Sequence, residues 1–213
     1  GDHRDLHSFP TRRSSALKTS QVQALTSAQA RALSTDQLAA LITAQMAALE
    51  TRELITLKTA QIQALSSAQA SALTSDQIAA LTTAQVAALE TRDLIALKTS
   101  QIVALTSAQA PALTTAQVAA LTTAQIAALE TQDLAALKTS QIAALTTTQI
   151  NALKTSQIAA LTTAQTAALA KLPQVATLTT SQIPTLTTTQ IAALTTADLN
   201  ALSTAQIVAL TNT

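Results

Sequence analysis

The sequence predicts an all-α solenoid of short capped helices, one per octapeptide, and three observations carry that prediction. Leucine recurs every eight residues from Leu17 to Leu169; after one added residue near Pro173 it resumes at Leu178 and runs to Leu210. Threonine or serine stands two residues after each leucine from Thr19 to Thr163, with glutamine or an acid two residues further on. A period of eight suits neither one continuous helix nor a strand with segregated faces. Repetition at a short fixed period decides architecture before any other argument.

Number the octad from its leucine as slot 1. At ~100° per residue, eight residues of α-helix turn ~800°, so each leucine drifts ~80° from the last. Supercoiling corrects repeats of 7 or 11, not a drift of this size, so a continuous rod is rejected. A strand period of two divides eight, but it places Leu with Thr and Gln on one face and Ile with Ala on the other. Ala, Gln and Leu favour helix, and the Gly, Asn and Pro expected of tight turns are scarce. The Thr and Ile content keeps a β-solenoid as the alternative fold.

A broken helix satisfies the pattern. Slot 3 offers a hydroxyl to an orphan amide, as an N-cap does, and slot 5 (Gln, Glu53, Asp93 or Asp133) suits a first helical turn. Counting from slot 2 instead gives capping boxes, Thr26 to Gln29 and Thr82 to Gln85, with a hydrophobic staple between slots 1 and 6. Slot 2 also holds Lys18, Ile42 and Glu50, which favours slot 3 as the cap. Slot 6 and the next leucine share a face at i, i+3, a stripe of Ile and Leu too narrow for a helix to stand alone. Stacking successive octads buries those stripes in one ladder. Pro111 and Pro184, both in slot 7, cost ~3 kcal/mol inside a helix, so either their octads are disturbed or the helices are shorter than this reading supposes.

Residues 1–15, GDHRDLHSFPTRRSS, share nothing with the repeat and hold the single Gly, the single Phe and both His. They lack the apolar core of a secretory signal and resemble an in-frame translation of a short-read sequencing adapter, as in a metagenomic fragment. On that reading they are a non-native, disordered leader and the native N-terminus is missing. The repeat then occupies 16–169 and 174–213, separated at 170–173 by a break that is either a hinge or an insertion.

A slower period lies above the octad. Leu-Glu-Thr recurs at Glu50, Glu90 and Glu130, and Leu-Lys-Thr eight residues later at Lys58, Lys98 and Lys138. Five octads thus form a 40-residue cassette, repeated to about residue 136. Block duplication accounts for this; stacked Glu–Lys pairs between neighbouring coils are the alternative, worth only ~0–1 kcal/mol each when exposed.

Residues 16–213 contain no His, Cys, Gly, Phe, Tyr or Trp, and nine basic residues balance nine acidic ones. There is no basic footprint or aromatic platform for nucleic acid, no ligand set for zinc or other metals and no activated nucleophile. No apolar run approaches the ~20 residues of a membrane span. Glu53, Asp93 and Asp133 read as members of a solvated face rather than as acids of a catalytic site. No catalytic, cofactor or metal residue is therefore assigned, no cofactor is expected, and no small-molecule substrate.

The words LTTAQIAAL (121–129) and LETRDLIAL (89–97) resemble octapeptide arrays of large bacterial exoproteins, often described as adhesin-like or haem-utilising. The resemblance implies an extracellular or cell-surface, non-enzymatic segment, a stalk or fibre former, whose partners are other copies of itself or other proteins. Haem use is disfavoured because the repeat lacks the usual axial ligands. A protein-interaction scaffold is the second reading. Ice or crystal-surface binding by threonine arrays such as Thr82-Thr83, Thr114-Thr115 and Thr122-Thr123 is the third.

Overall fold

The computed structural model describes residues 17–170 and 175–211. The leader reading of 1–15, and the repeat break beyond position 170, fall outside the described residues. Among those described, one short helical element follows another at one per octad, α-helices of four to eight residues with 3-10 turns at Ala110–Ala112, Val175–Thr177 and Ile183–Thr185, and there is no strand. The all-α solenoid is therefore observed, and the β-solenoid is not.

Each helix begins where slot 2, not slot 3, is the cap. In the octad from Leu121, helix Thr123–Ala128 follows N-cap Thr122, whose backbone is extended at φ −68°, ψ 159°. The Thr122 hydroxyl accepts from Gln125 N at 3.2 Å while Gln125 Oε1 accepts from Thr122 N at 2.9 Å. That reciprocity spans three residues, which places the cap at slot 2 and corrects the slot 3 assignment. Where slot 2 carries no acceptor, the glutamine still supplies its half: Lys58 N donates to Gln61 Oε1 at 2.7 Å and Ile42 N to Gln45 Oε1 at 2.8 Å. A cap side chain is thus optional, which is why Lys and Ile are tolerated there. Thr122→Ala should cost about 1 kcal/mol and Thr123→Ala, on the exposed first turn, clearly less; chemical denaturation of the two variants checks the order.

The corner between octads needs no glycine. Leu121 sits at φ −54°, ψ 140° and Thr122 follows in the same extended region. Two such residues turn the chain with negative φ throughout, and no non-glycine residue among those described has positive φ. Any L-residue adopts this geometry, so the usual turn residues are absent for a physical reason. The leucine of slot 1 and the residue of slot 6 stand at the positions of a hydrophobic staple, and both are buried, Leu81 at 3% and Val86 at 0% exposure.

Pro111 and Pro184 disturb their own octads and no more. Each replaces the α-helix with a 3-10 turn, Ala110–Ala112 and Ile183–Thr185. Ala112 N donates to Gln109 O at 2.9 Å and Leu113 N to Ala110 O at 3.2 Å, i→i−3 bonds that avoid the missing proline donor.

The chain forms two compact units, Gly1–Ala104 and Leu105–Thr213. Within each, every helix packs on the helix three octads before it, giving three columns. In the first unit Thr19–Gln23, Thr43–Ala48, Ser67–Ala72 and Thr91–Ile95 form one column; Ser27–Ala32, Thr51–Leu54, Ser75–Ala80 and Thr99–Val103 form another. The core is the predicted ladder of slots 1 and 6, for example Ile126 at 0% and Leu129 at 3% exposure. In the second unit the columns continue past the added residue: Gln182 Nε2 donates to Ile150 O at 3.0 Å and Leu153 O at 2.7 Å, spacings of 32 and 29 residues.

The columns also explain why the 40-residue cassette makes no charged stripe. Five octads are incommensurate with a three-column stack, so the helices of Glu53 and Asp93 lie in different columns. The slot 2 neighbours of Glu50 one coil away are Thr26 and Thr74, not Lys58. Among the described residues the ion pairs run from Arg52 to Glu50 (3.1 Å) and Glu53 (2.9 Å), and from Arg92 to Asp93 (3.5 Å). Stacked Glu–Lys pairs do not form.

Candidate functional site

Slot 5 is where one coil is bound to the one before it. Gln157 Oε1 accepts from Lys154 N at 2.8 Å, and its Nε2 donates to Ile126 O at 3.0 Å and Leu129 O at 2.8 Å. The acceptors lie 31 and 28 residues earlier, at the C-terminus of a helix in the preceding coil. Gln61, Gln101 and Gln141 repeat the same pair of spacings. One side chain thereby satisfies an orphan N–H of its own helix and reaches two carbonyls at the end of another.

Burial follows from that stacking. Gln21 and Gln29 are exposed and Gln37 is half-buried, whereas the slot 5 glutamines from Gln45 to Gln190 are 1–2% exposed once a coil lies beneath them. Slot 6 shows the reverse polarity: Val22, Ala30 and Leu38 are fully buried, while Leu199 and Ile207 are 37% exposed. Slot 5 is covered by the preceding coil, and slot 6, on the inner ladder, is covered by the following one.

Three octads carry an acid in this slot and a glutamate at the cap. Glu53, Asp93 and Asp133 are 1%, 0% and 1% exposed, which overturns their reading as a solvated face. A carboxylate cannot donate to the carbonyls that glutamine reaches. It accepts instead from a serine in slot 3 of the preceding coil: Ser27 Oγ to Glu53 Oε1 at 3.3 Å, Ser67 Oγ to Asp93 Oδ1 at 2.7 Å, Ser107 Oγ to Asp133 Oδ1 at 2.7 Å. Arg52 and Arg92 add a cation at the first two; position 132 is Gln, whose Nε2 goes to Glu130 Oε2 at 3.2 Å. Asp93 Oδ2 is buried with no hydrogen-bond partner. Burial pushes the Asp133 carboxyl above its ordinary value, the Ser107 hydroxyl opposes this, and the charge of Glu130 raises it further.

These serines were the missed signal. Slot 3 between Thr19 and Thr163 is serine at 27, 67, 75 and 107 alone, and three of those stand 26 residues before an acid. Slot 6 of the same three octads is alanine (Ala30, Ala70, Ala110), where the acid octads carry Leu54, Leu94 and Leu134. Serine with alanine faces acid with leucine in every cassette.

Slots 2 to 4 are largely exposed, as is slot 7 in many octads (Ile55 43%, Val103 43%), and among the described residues these slots repeat without a unique constellation. In the pairs Thr82-Thr83, Thr114-Thr115 and Thr122-Thr123 the first hydroxyl is engaged in its cap. Among the described residues no group of three or more His, Cys, Asp or Glu is placed to hold a metal ion, and no helix is long and apolar enough to cross a membrane.

The model of one repeat family matches the chain six times, over residues 15–51, 46–83, 86–123, 126–163, 144–171 and 175–212. The chain belongs to the ALTTAQ repeat family. The word ALTTAQ stands unaltered at 80–85, 112–117, 120–125 and 160–165, and the structure gives three of its letters a task. In the ALTTAQ unit the leucine turns the corner, the first threonine caps, and the glutamine binds the coil before. Comparison with curated proteins yields no match.

Proposed function

We propose that this ALTTAQ array is a non-enzymatic structural segment, an extended stalk or fibre-forming part of a bacterial surface or secreted adhesin-like protein. The glutamine ladder carries this reading: within each unit, coils are bonded to their predecessors through the same glutamine atoms, at spacings of 31 and 28 residues or, past the added residue, 32 and 29. A protein built this way lengthens by adding octads, with no redesign of any contact. The sequence likeness to bacterial exoprotein arrays supports the surface location, and the repeated, slowly varying exposed slots support a spacer over a selective binding face.

Small-angle scattering on the full chain tests the mechanical part. A stalk gives a rod-like profile with a radius of gyration well above the ~17 Å of a compact domain of this length. A globular profile near that value would end the proposal.

A further inference from the structure

Slot 5 ordinarily holds a group that both accepts and donates. Gln141 takes the Lys138 N–H at 2.6 Å and gives Nε2 to Ala110 O at 3.1 Å and Leu113 O at 2.6 Å. An ionised carboxylate in that slot has acceptors only. Ser107 meets one oxygen of Asp133, and the donor that every glutamine aims at the preceding coil is missing. The orphaned Oδ2 of Asp93 records the same mismatch. Asp133 alone of the three cassette acids has no arginine beside it, and its ion pairs are none among the described residues.

We propose that Asp133 is a proton-operated latch between the segment Leu105–Ala112 and the helix Thr131–Ala136. A proton taken from solvent onto the carboxylate forms one O–H bond, and the neutral acid then has the donor that glutamine has. The acceptor it addresses is the Leu105 carbonyl, 28 residues earlier, the position that the amides of Gln141, Gln149 and Gln157 address in their own coils. Ser107 continues to donate to the other oxygen. Protonation therefore adds a coil-to-coil bond and removes a buried charge, both of which tighten the contact.

The groups around Asp133 favour the proton. On its own helix the exposed Glu130 is negative and Gln132 neutral. The two elements packed on it are Ala110–Ala112 and Thr155–Ala159; the octad 105–112 and the helix Thr155–Ala159 hold no ionisable side chain, and the exposed Lys154 is the cap that precedes the latter. The Asp133 carboxyl is raised from its ordinary 3.8. The stability it contributes is accordingly complete below that ordinary value and is lost as pH rises through the raised one. The array closes at this coil on acidification.

Hydrogen exchange on the full chain, expressed as protection factors to remove the intrinsic pH effect, tests the latch. Protection in 105–112 and 131–136 should rise about threefold or more between about pH 7.5 and pH 4.5, while the helix Thr147–Ala152, in another column, stays level. Asp133→Asn, a permanent amide of the same size, should abolish the rise. Gln132→Arg, which restores the cation found at 52 and 92, should diminish it. A flat wild-type profile overturns the latch, as does a rise shared by the whole chain or one undiminished in either variant.

Discussion

Gln149→Leu lowers the stability of the array by about 3–5 kcal/mol, far more than the loss of one surface amide. The leucine keeps most of the volume but leaves Thr146 N–H without Oε1 (2.8 Å) and Leu121 O without Nε2 (2.6 Å), and it takes from Val118 O one of its two donors (3.0 Å), Leu121 N remaining at 3.2 Å. Each stranded buried group costs about 1–3 kcal/mol, because the alternative to the lost bond is no bond rather than water. Gln29→Leu is the matched control. Its glutamine is exposed, with its oxygen bonded at its own cap, so the same substitution there shifts stability by no more than about 1 kcal/mol. Urea denaturation of the pair decides the matter: equal losses would show that slot 5 acts through the helix start alone and that the coil-to-coil bonds carry little.

The contrast between those two glutamines marks the boundary of what the sequence discloses. Helix, corner and stripe were legible because each is local: the eight-residue period, the Thr-to-Gln spacing and the Leu–Ile pairing are set within one octad and its neighbour. The cap position was legible to within one residue. The threonine of slot 3 is more regular than that of slot 2, yet the glutamine's reach of three residues, not regularity, selects the cap. Slot 5 was read as solvated since a polar residue at a helix start is ordinarily exposed. Its burial depends on the spacings of 28 and 31 residues, which are properties of the winding and appear in no single octad. The Ser107–Asp133 contact is similar in kind. Its trace was present in the sequence, serine for threonine 26 residues before each cassette acid, but it acquires meaning only when the three-column stack is known. The same stack shows why Glu50 and Lys58 do not meet: they are neighbours along the chain and occupy different columns.

Leu94→Ala should be the costliest of the simple core truncations, about 4–5 kcal/mol, near the top of the range for leucine. The reason is its partner. Helix Thr91–Ile95 packs on helix Ser67–Ala72, whose slot 6 residue is Ala70, and both side chains are fully buried. Elsewhere in the ladder two large residues succeed each other in a column, as Ile126 and Ile150 do in the packed helices Thr123–Ala128 and Thr147–Ala152, so a truncation at one has a large neighbour able to relax towards it. Here one side is already small, so nothing collapses into the cavity, and the lost volume is felt in full. The complementary exchange makes the argument specific. Ala70→Leu alone overpacks the contact, at about 1–3 kcal/mol, yet combined with Leu94→Ala it should recover at least about 1 kcal/mol relative to Leu94→Ala, since the two changes share one space. Simple additivity in the double-mutant cycle would mean that Ala70 and Leu94 do not fill a common volume. Recovery would mean that the Ala–Leu alternation, present again at Ala30 with Leu54 and at Ala110 with Leu134, is how each cassette matches its serine-bearing coil to its acid-bearing one: by shape in slot 6 as by hydrogen bonding in slot 5.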